Sequence, residues 1–206
     1  DCGRFMEIGN SVFMEYVKKE DGGFEKLKQR NVDFGGGLER ITAASNNNAD
    51  VFLVDVFDGA RGTLEAGTGK KYAENVRLFR IILDHIRSAV FLIADGITPS
   101  NTDRGYLLRR LIRRAVWFGD QLGAKQGVTS TYSTISAVAT NFVDEYKAEY
   151  PQGHELAKQA DKIFDEIEKE EKNFRATLAR GSKELARFMA KGEISGEDAF
   201  QLFTTY

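Results

Sequence analysis

The sequence predicts an α+β fold, mostly α, with short antiparallel strands first and helices after them. β-forming residues crowd positions 4–33 and are split by a strong reversal signal. From about residue 72 onward, apolar residues recur at steps of three and four, the period of a helix with one buried face. One of these helices carries five arginines and no acid between Arg104 and Phe118.

Phe5-Met-Glu-Ile8 and Val12-Phe-Met-Glu-Tyr-Val17 read as strands, with Gly9-Asn10 between them as a bulge or a close backbone approach. Asp21-Gly22-Gly23 is the reversal, and Phe24-Glu-Lys-Leu27 begins the returning strand. Asn31-Val-Asp33 runs into Phe34-Gly-Gly-Gly-Leu-Glu-Arg40, and Leu38 to Ala44 reads as a helix. Asp50 to Phe57 is a short apolar segment. Gly59 to Lys71 holds four glycines and reads as a loop. Tyr72 to Ala94 is a long amphipathic helix. Asp95 to Asp103 is a turn-rich connector, with Asp103 placed to cap the arginine helix. Gly119 to Gly127 reads as a loop, and a weaker helix covers about 129–148. Residues 154–190 form a long charged helix. Its seam of Leu156, Ala160, Ile163, Ile167, Phe174, Leu178, Leu185 and Phe188 is broken at Glu170-Glu171.

Bulk properties bound the function. The chain has 206 residues, 42% of them hydrophobic, enough for one large or two small cores. A formal net charge of −2 excludes a bulk polycation, so any nucleic-acid binding must rest on a local patch. Cys2 is the single cysteine, and His85 and His154 are the two histidines, so no disulfide and no zinc site is expected. His85 reads as a packed, hydrogen-bonded helix residue. No apolar run reaches the length of a membrane span, and a cytoplasmic protein is expected. The chain opens on Asp1 rather than Met, as a piece of something longer would.

The arginine helix is the most informative stretch. At about 100° per residue, Leu107, Leu108, Leu111, Ile112 and Ala115 share one face and Arg109, Arg110, Arg113 and Arg114 the other. Arg109/Arg113 and Arg110/Arg114 are like-charge pairs at i, i+4, each costing about 0.2–0.5 kcal/mol. A polyanion would relieve that repulsion, and guanidinium forks suit phosphate. The alternative is a solvated face paired with carboxylates from elsewhere in the chain.

The pieces also have an order. Glu7-Ile-Gly-Asn-Ser-Val-Phe13 precedes Val32-Asp-Phe-Gly-Gly-Gly-Leu-Glu-Arg-Ile41. Leu83-Asp-His-Ile-Arg-Ser88, Phe91-Leu-Ile-Ala-Asp-Gly96 and Pro99-Ser-Asn-Thr-Asp-Arg-Gly-Tyr-Leu-Leu-Arg-Arg-Leu-Ile-Arg-Arg-Ala115 follow, and Ala199-Phe-Gln-Leu-Phe-Thr-Thr-Tyr206 closes the chain. In this arrangement the sequence resembles the alanyl-tRNA synthetases, a class II synthetase family, over nearly its whole length.

The resemblance implies two parts: residues 1–50 as the C-terminal part of a class II catalytic core, and 51–206 as a helical tRNA-recognition domain. Gly35-Gly-Gly-Leu-Glu-Arg40 is similar to class II motif 3, which makes Gly37 and Arg40 the expected ATP-binding residues. The local pattern agrees: Arg40 opens a helix after a glycine-rich strand end, where backbone and guanidinium can both reach a phosphate. Asp33 matches the carboxylate that holds the substrate ammonium; a carboxylate buried at a strand end needs such a cation. Asn10, Val12, Asp33 and Gly35 are the expected alanine site, and Arg40 and Asp33 the residues that serve the chemistry. Asn101 matches the reader of a G–U pair in the tRNA(Ala) acceptor stem. Arg104, Arg109, Arg110, Arg113 and Arg114 would hold the phosphates beside it. The implied cofactors are ATP and Mg2+, the partners alanine, ATP and tRNA, and no membrane. Oligomerisation of this piece is not expected.

Three departures stand out. Gly9 replaces the family's tryptophan, and Asp33-Phe-Gly-Gly-Gly37 replaces Asp-Thr-Gly-Met-Gly. Thr204 stands where an aspartate accompanies the recognition asparagine; its hydroxyl can bond a base edge but brings no charge. Motifs 1 and 2 and the editing domain are absent, so this piece alone is expected to make no adenylate. The rival expectations are a non-catalytic, synthetase-derived RNA-binding module and an interaction protein built on the 154–190 helix.

Overall fold

A computed structural model describes residues 5–124, 133–149 and 155–205. The chain divides into two compact units, Asp1–Asp58 and Gly59–Tyr206.

The first unit is a hairpin followed by a helix. Strands β1 (Gly9–Lys18) and β2 (Phe24–Gly36) pair antiparallel. Gly22 supplies the left-handed residue of the turn at φ 85°, and Asp21 Oδ1 accepts from Gly23 N at 2.8 Å. Gly9 and Asn10 are regular ladder residues, opposite Gly36 and Gly35, rather than a bulge. The irregularity lies further along. Between the pairs Met14↔Asn31 and Tyr16↔Lys26, Leu27 to Arg30 of β2 stand against Glu15 alone. Glu15 holds both flanks, with Lys26 Nζ at 3.3 Å and Arg30 Nη2 at 3.4 Å. The close approach expected at Gly9 is real: a Cβ there would stand 2.9 Å from the Phe34 ring. Helix α1 (Leu38–Ser45) follows Gly37, and Ala43 is buried. Two short 3-10 turns, Val51–Leu53 and Asp55–Phe57, bury Val54 and Phe57.

The second unit is helical: α2 (Asp58–Thr68), a 3-10 turn at Tyr72–Glu74, α3 (Val76–Ala94), α4 (Asp103–Leu122), α5 (Thr134–Glu149), α6 (Glu155–Lys158), α7 (Ala160–Lys191) and α8 (Gly196–Thr205). The segment expected to be a glycine loop is therefore helix α2. Packing overrides the poor helix propensity of glycine. A Cβ on Gly67 would come within 2.5 Å of Thr134 Cγ2, and one on Gly59 within 2.8 Å of Asn141 Oδ1. Glycine is what lets α2 lie this close to α5.

Helix α3 is the hub. Phe79, Ile82, Leu83, Ile86, Ala89, Val90 and Ile93 are buried against α4, α5 and α7. Helix α5 contributes Ile135, Val138, Ala139 and Phe142, and α7 contributes Ile163 and Ile167. Gln159, at the break between α6 and α7, donates its side-chain N–H to Ala94 O at 3.0 Å and so caps α3. Helix α4 runs on to Leu122 and closes on Gly123 at φ 86°, where a loop from Gly119 was expected. Its N-cap is Thr102; Asp103 is already in the first turn, at φ 49°. The readings that fall on residues 125–132 and 150–154 lie outside the described residues.

Candidate functional site

Register makes the first cluster. Asn10 pairs with Gly35 and Val12 with Asp33. Directly opposed residues share a face, and so do alternate residues along a strand. The four expected alanine-site positions therefore lie on one face of the hairpin, in two adjacent cross-strand rungs. Asp33 is exposed, which corrects the expectation of a buried carboxylate. The sheet has two strands, and among the described residues of this unit neither face is covered; Val12 is 50% exposed and Phe34, on the opposite face, 65%.

At the end of the same hairpin, Gly37 N donates to Ile8 O at 3.1 Å, and Arg40 Nη1 donates to Glu7 O at 3.1 Å. The Arg40 side chain lies along the Gly37 backbone: a Cβ at residue 37 would meet Arg40 Cδ at 3.2 Å. Arg40 is thus held at one nitrogen and exposed elsewhere, with its remaining donors open to an anion. Glycine at 37 keeps its approach to the backbone clear. Gly35 meets nothing within 4 Å, so its side is open.

The second cluster belongs to α4. Its buried stripe is Gly105, Leu108, Ile112, Ala115, Val116, Gly119 and Leu122. Leu107 is 50% exposed and Leu111 only half-buried, so the apolar face is rotated from the expected one. Helix α7 covers the rotated edge. There Glu170, 4% exposed, receives Arg113 Nε at 2.6 Å and stands 3.5 Å from Arg109 Nε, an ion-pair distance without a hydrogen bond. The apparent break in the α7 seam is therefore a buried anion. Its neighbour Glu171 accepts from Ser133 Oγ at 2.6 Å and Arg175 Nε at 2.9 Å. Arg175 also reaches Asp120 of α4. The arginine ridge thus splits. Arg109 and Arg113 have an internal counter-ion, as the alternative reading required. Arg104 and Arg110 have no ion-pair partner among the described residues.

Arg114 is held differently. Its Nε donates to His85 Nε2 at 3.2 Å, which leaves His85 Nδ1 as the donor to Asp84 Oδ2 at 2.9 Å. The hydrogen bond from His85 holds the Asp84 carboxyl below the usual carboxylate range. Packed and hydrogen-bonded on α3, His85 behaves as expected.

Asn101 is exposed on the connector leading into α4. Arg109 Nη1 donates to its Oδ1, and Arg109 Nη2 donates to Pro99 O at 3.4 Å. The amide oxygen is engaged, and the NH2 group supplies the two remaining donors of this exposed side chain. Gly105 lets the connector close against α4, because a Cβ there would strike Ser100 and the Thr98 carbonyl. Thr204 is exposed on α8 and donates its hydroxyl to Phe200 O at 2.9 Å. That leaves only its oxygen lone pairs for a ligand.

Among the described residues, no group of three His, Cys, Asp or Glu is placed to hold a metal ion, and no helix is long and apolar enough to cross a membrane.

The family model for tRNA synthetases class II (A) matches residues 1–206. The chain belongs to the class II (A) tRNA synthetases. Proteins named alanine–tRNA ligase from Elusimicrobium minutum (strain Pei191) and Acetivibrio thermocellus are each 39% identical to it, over 212 and 215 residues, covering 100% of this chain and 23% of theirs. One from Borrelia hermsii is 36% identical over 214 residues, 34% of its own length. The synthetase chain thus spans about a quarter to a third of the curated relatives it matches. Its residues missed by sequence reasoning are Glu170, which ties down two arginines, and the ring pair Tyr106 and Trp117 beside them. The one available signal was Glu170-Glu171 interrupting an apolar seam.

Proposed function

We propose that this chain is a segment of an alanine–tRNA ligase, contributing part of the alanine and ATP site and the surface that reads the tRNA acceptor stem. In the complete enzyme the alanine carboxylate attacks the α-phosphorus of ATP, pyrophosphate leaves, and alanyl-adenylate remains. The terminal ribose hydroxyl of the tRNA then attacks the alanyl carbonyl, and AMP leaves. Arg40 stabilises phosphate charge in the first step, with Gly37 keeping its approach clear. Asp33 receives the alanine ammonium, while Asn10, Val12 and Gly35 on the same hairpin face set the width of the pocket. ATP arrives with Mg2+, which needs few protein ligands when it rides on phosphates. The proposed boundary between the catalytic and tRNA-recognition parts lies near residue 50, and the compartment is cytoplasmic, where translation substrates are.

The observation that carries the tRNA reading is Asn101: exposed, with its amide oxygen bound by Arg109, on the connector that leads into the helix bearing Arg104 and Arg110, which have no ion-pair partner among the described residues. An amide donor suits the groove edge of a wobble pair. The test is a titration of the chain with an acceptor-stem hairpin RNA carrying G–U or G–C at the wobble position. The G–U form is expected to bind more tightly, and Asn101→Ala to erase the difference while leaving the salt dependence intact. Equal binding of both RNAs by the parent chain overturns the reading. ATP–pyrophosphate exchange by the isolated chain is expected to be absent, because the hairpin face is open; measurable exchange would overturn that part. The open hairpin also favours a second reading, a non-catalytic RNA-binding module with a vestigial motif 3, in which no aminoacylation is measurable and Arg40→Ala leaves RNA binding unchanged.

A further inference from the structure

Arginines are only half of the α4 surface. Tyr106, Arg110, Arg113 and Trp117 follow at steps of four, three and four, which places them in one stripe along the helix. Tyr106 is 52% and Trp117 48% exposed. With Arg109, Arg114 and Phe174 of α7 they line a cleft of about 310 Å³. Its floor is fixed: Arg113 is held by Glu170 and lies 5.3 Å from the Phe174 ring centre. Its rim is not, since Arg110 is exposed without an ion-pair partner among the described residues.

We propose that this cleft is a stacking subsite for one nucleotide whose base is unpaired, with the base on the Trp117 indole and the phosphate on Arg110 and Arg114. The inference rests on the RNA-binding reading above and adds a ligand chemistry to it. Phosphate alone would use the arginines and leave the rings without purpose. An apolar partner would cover the rings but strand Arg110 in a dry interface, at a desolvation cost that nothing offsets. A nucleotide satisfies both, with a π-face for the indole and an anion for the guanidinium. Paired bases hide their faces inside the helical stack, so the occupant is a base outside a duplex.

Trp117 is the single tryptophan of the chain, so its emission reads this cleft and nothing else. The experiment titrates the 206-residue chain with a short labelled oligoribonucleotide, with an abasic ribose–phosphate oligomer of the same length, and with oligoglutamate. The base-bearing strand is expected to quench Trp117 and to bind roughly tenfold more tightly than the abasic one. Trp117→Ala, at a half-exposed position that leaves the core intact, should make the two oligomers bind alike with an unchanged salt slope. Arg110→Ala should weaken both equally. Equal affinity of the two oligomers for the parent chain, or base-dependent binding with unaltered emission, overturns the stacking subsite while leaving RNA binding standing. Oligoglutamate quenching as strongly as RNA assigns the cleft to an acidic protein segment and overturns it too. Absence of any salt-dependent RNA binding brings down the RNA reading itself.

Discussion

Removing Glu170 should lower stability and raise RNA affinity together. The carboxylate is almost wholly buried, while Arg109 and Arg113 are 25% and 32% exposed at their side chains. Breaking a buried ion pair by deleting one partner costs about 3–5 kcal/mol when the survivor is stranded. Here the two guanidiniums can turn partly to water, so about 2–3 kcal/mol is expected for Glu170→Ala. At about 2–4 °C per kcal/mol for a domain of this size, Tm should fall by roughly 4–12 °C. The same change releases two cations that the acid had neutralised. Each additional phosphate contact steepens the slope of log K against log salt by about 0.7–0.9, so the slope should steepen by up to about 1.8. Urea unfolding and an RNA titration at several salt concentrations measure both quantities. Glu170→Gln, which can still accept from Arg113, should lose less stability. A variant as stable as the parent, or one whose salt slope becomes shallower, refutes the idea that Glu170 partitions the ridge into internal and free arginines.

Other outcomes follow from the same geometry. Arg104→Ala should reduce the salt slope for RNA by about 0.9 without changing stability, since Arg104 is exposed and has no ion-pair partner among the described residues; an unchanged slope places it off the RNA path. Gly67→Ala should destabilise by about 1–3 kcal/mol, because its Cβ would overlap Thr134, while Gly62→Ala, which meets open space, should stabilise by about 0.5–1 kcal/mol. Denaturant midpoints for the pair check the packing of α2 on α5. Glu65 accepts from Tyr72 N at 2.9 Å and from Lys71 Nζ at 2.9 Å, and these hold its carboxyl below the usual range. Its folded pKa is depressed, so its stabilisation is present above the unfolded value of about 4.3 and fades as pH falls through the lower folded value. Glu65→Gln should therefore flatten the acid limb of the stability curve as pH falls below the unfolded value of about 4.3, which thermal melts through the acid range would reveal.

Much of this molecule was legible because its signals are local. The apolar periodicity of α3, α4 and α7 and the Asp21-Gly22-Gly23 reversal each act within a few residues, and the elements appear where those patterns put them. Helix α2 was illegible for the opposite reason. Its glycines argue for a loop in isolation, and only the proximity of Thr134 and Asn141 makes them the residues that fit. The bulge is similar: it sits at Glu15, where two cations from β2 converge, and not at the Gly9-Asn10 pair that composition singled out.

The amino-acid order alone determined the fold class, the synthetase resemblance and the roster of residues for the hairpin face and α4. Tertiary structure decided which of them lie together. Strand register brought Asn10, Val12, Asp33 and Gly35 onto one face. Helix α7, 57 residues from Arg113, supplied the anion that silences part of the arginine ridge and leaves Arg104 and Arg110 exposed. Periodicity reports only on neighbours a turn away, whereas the charge a surface presents depends on which distant groups the fold carries to it.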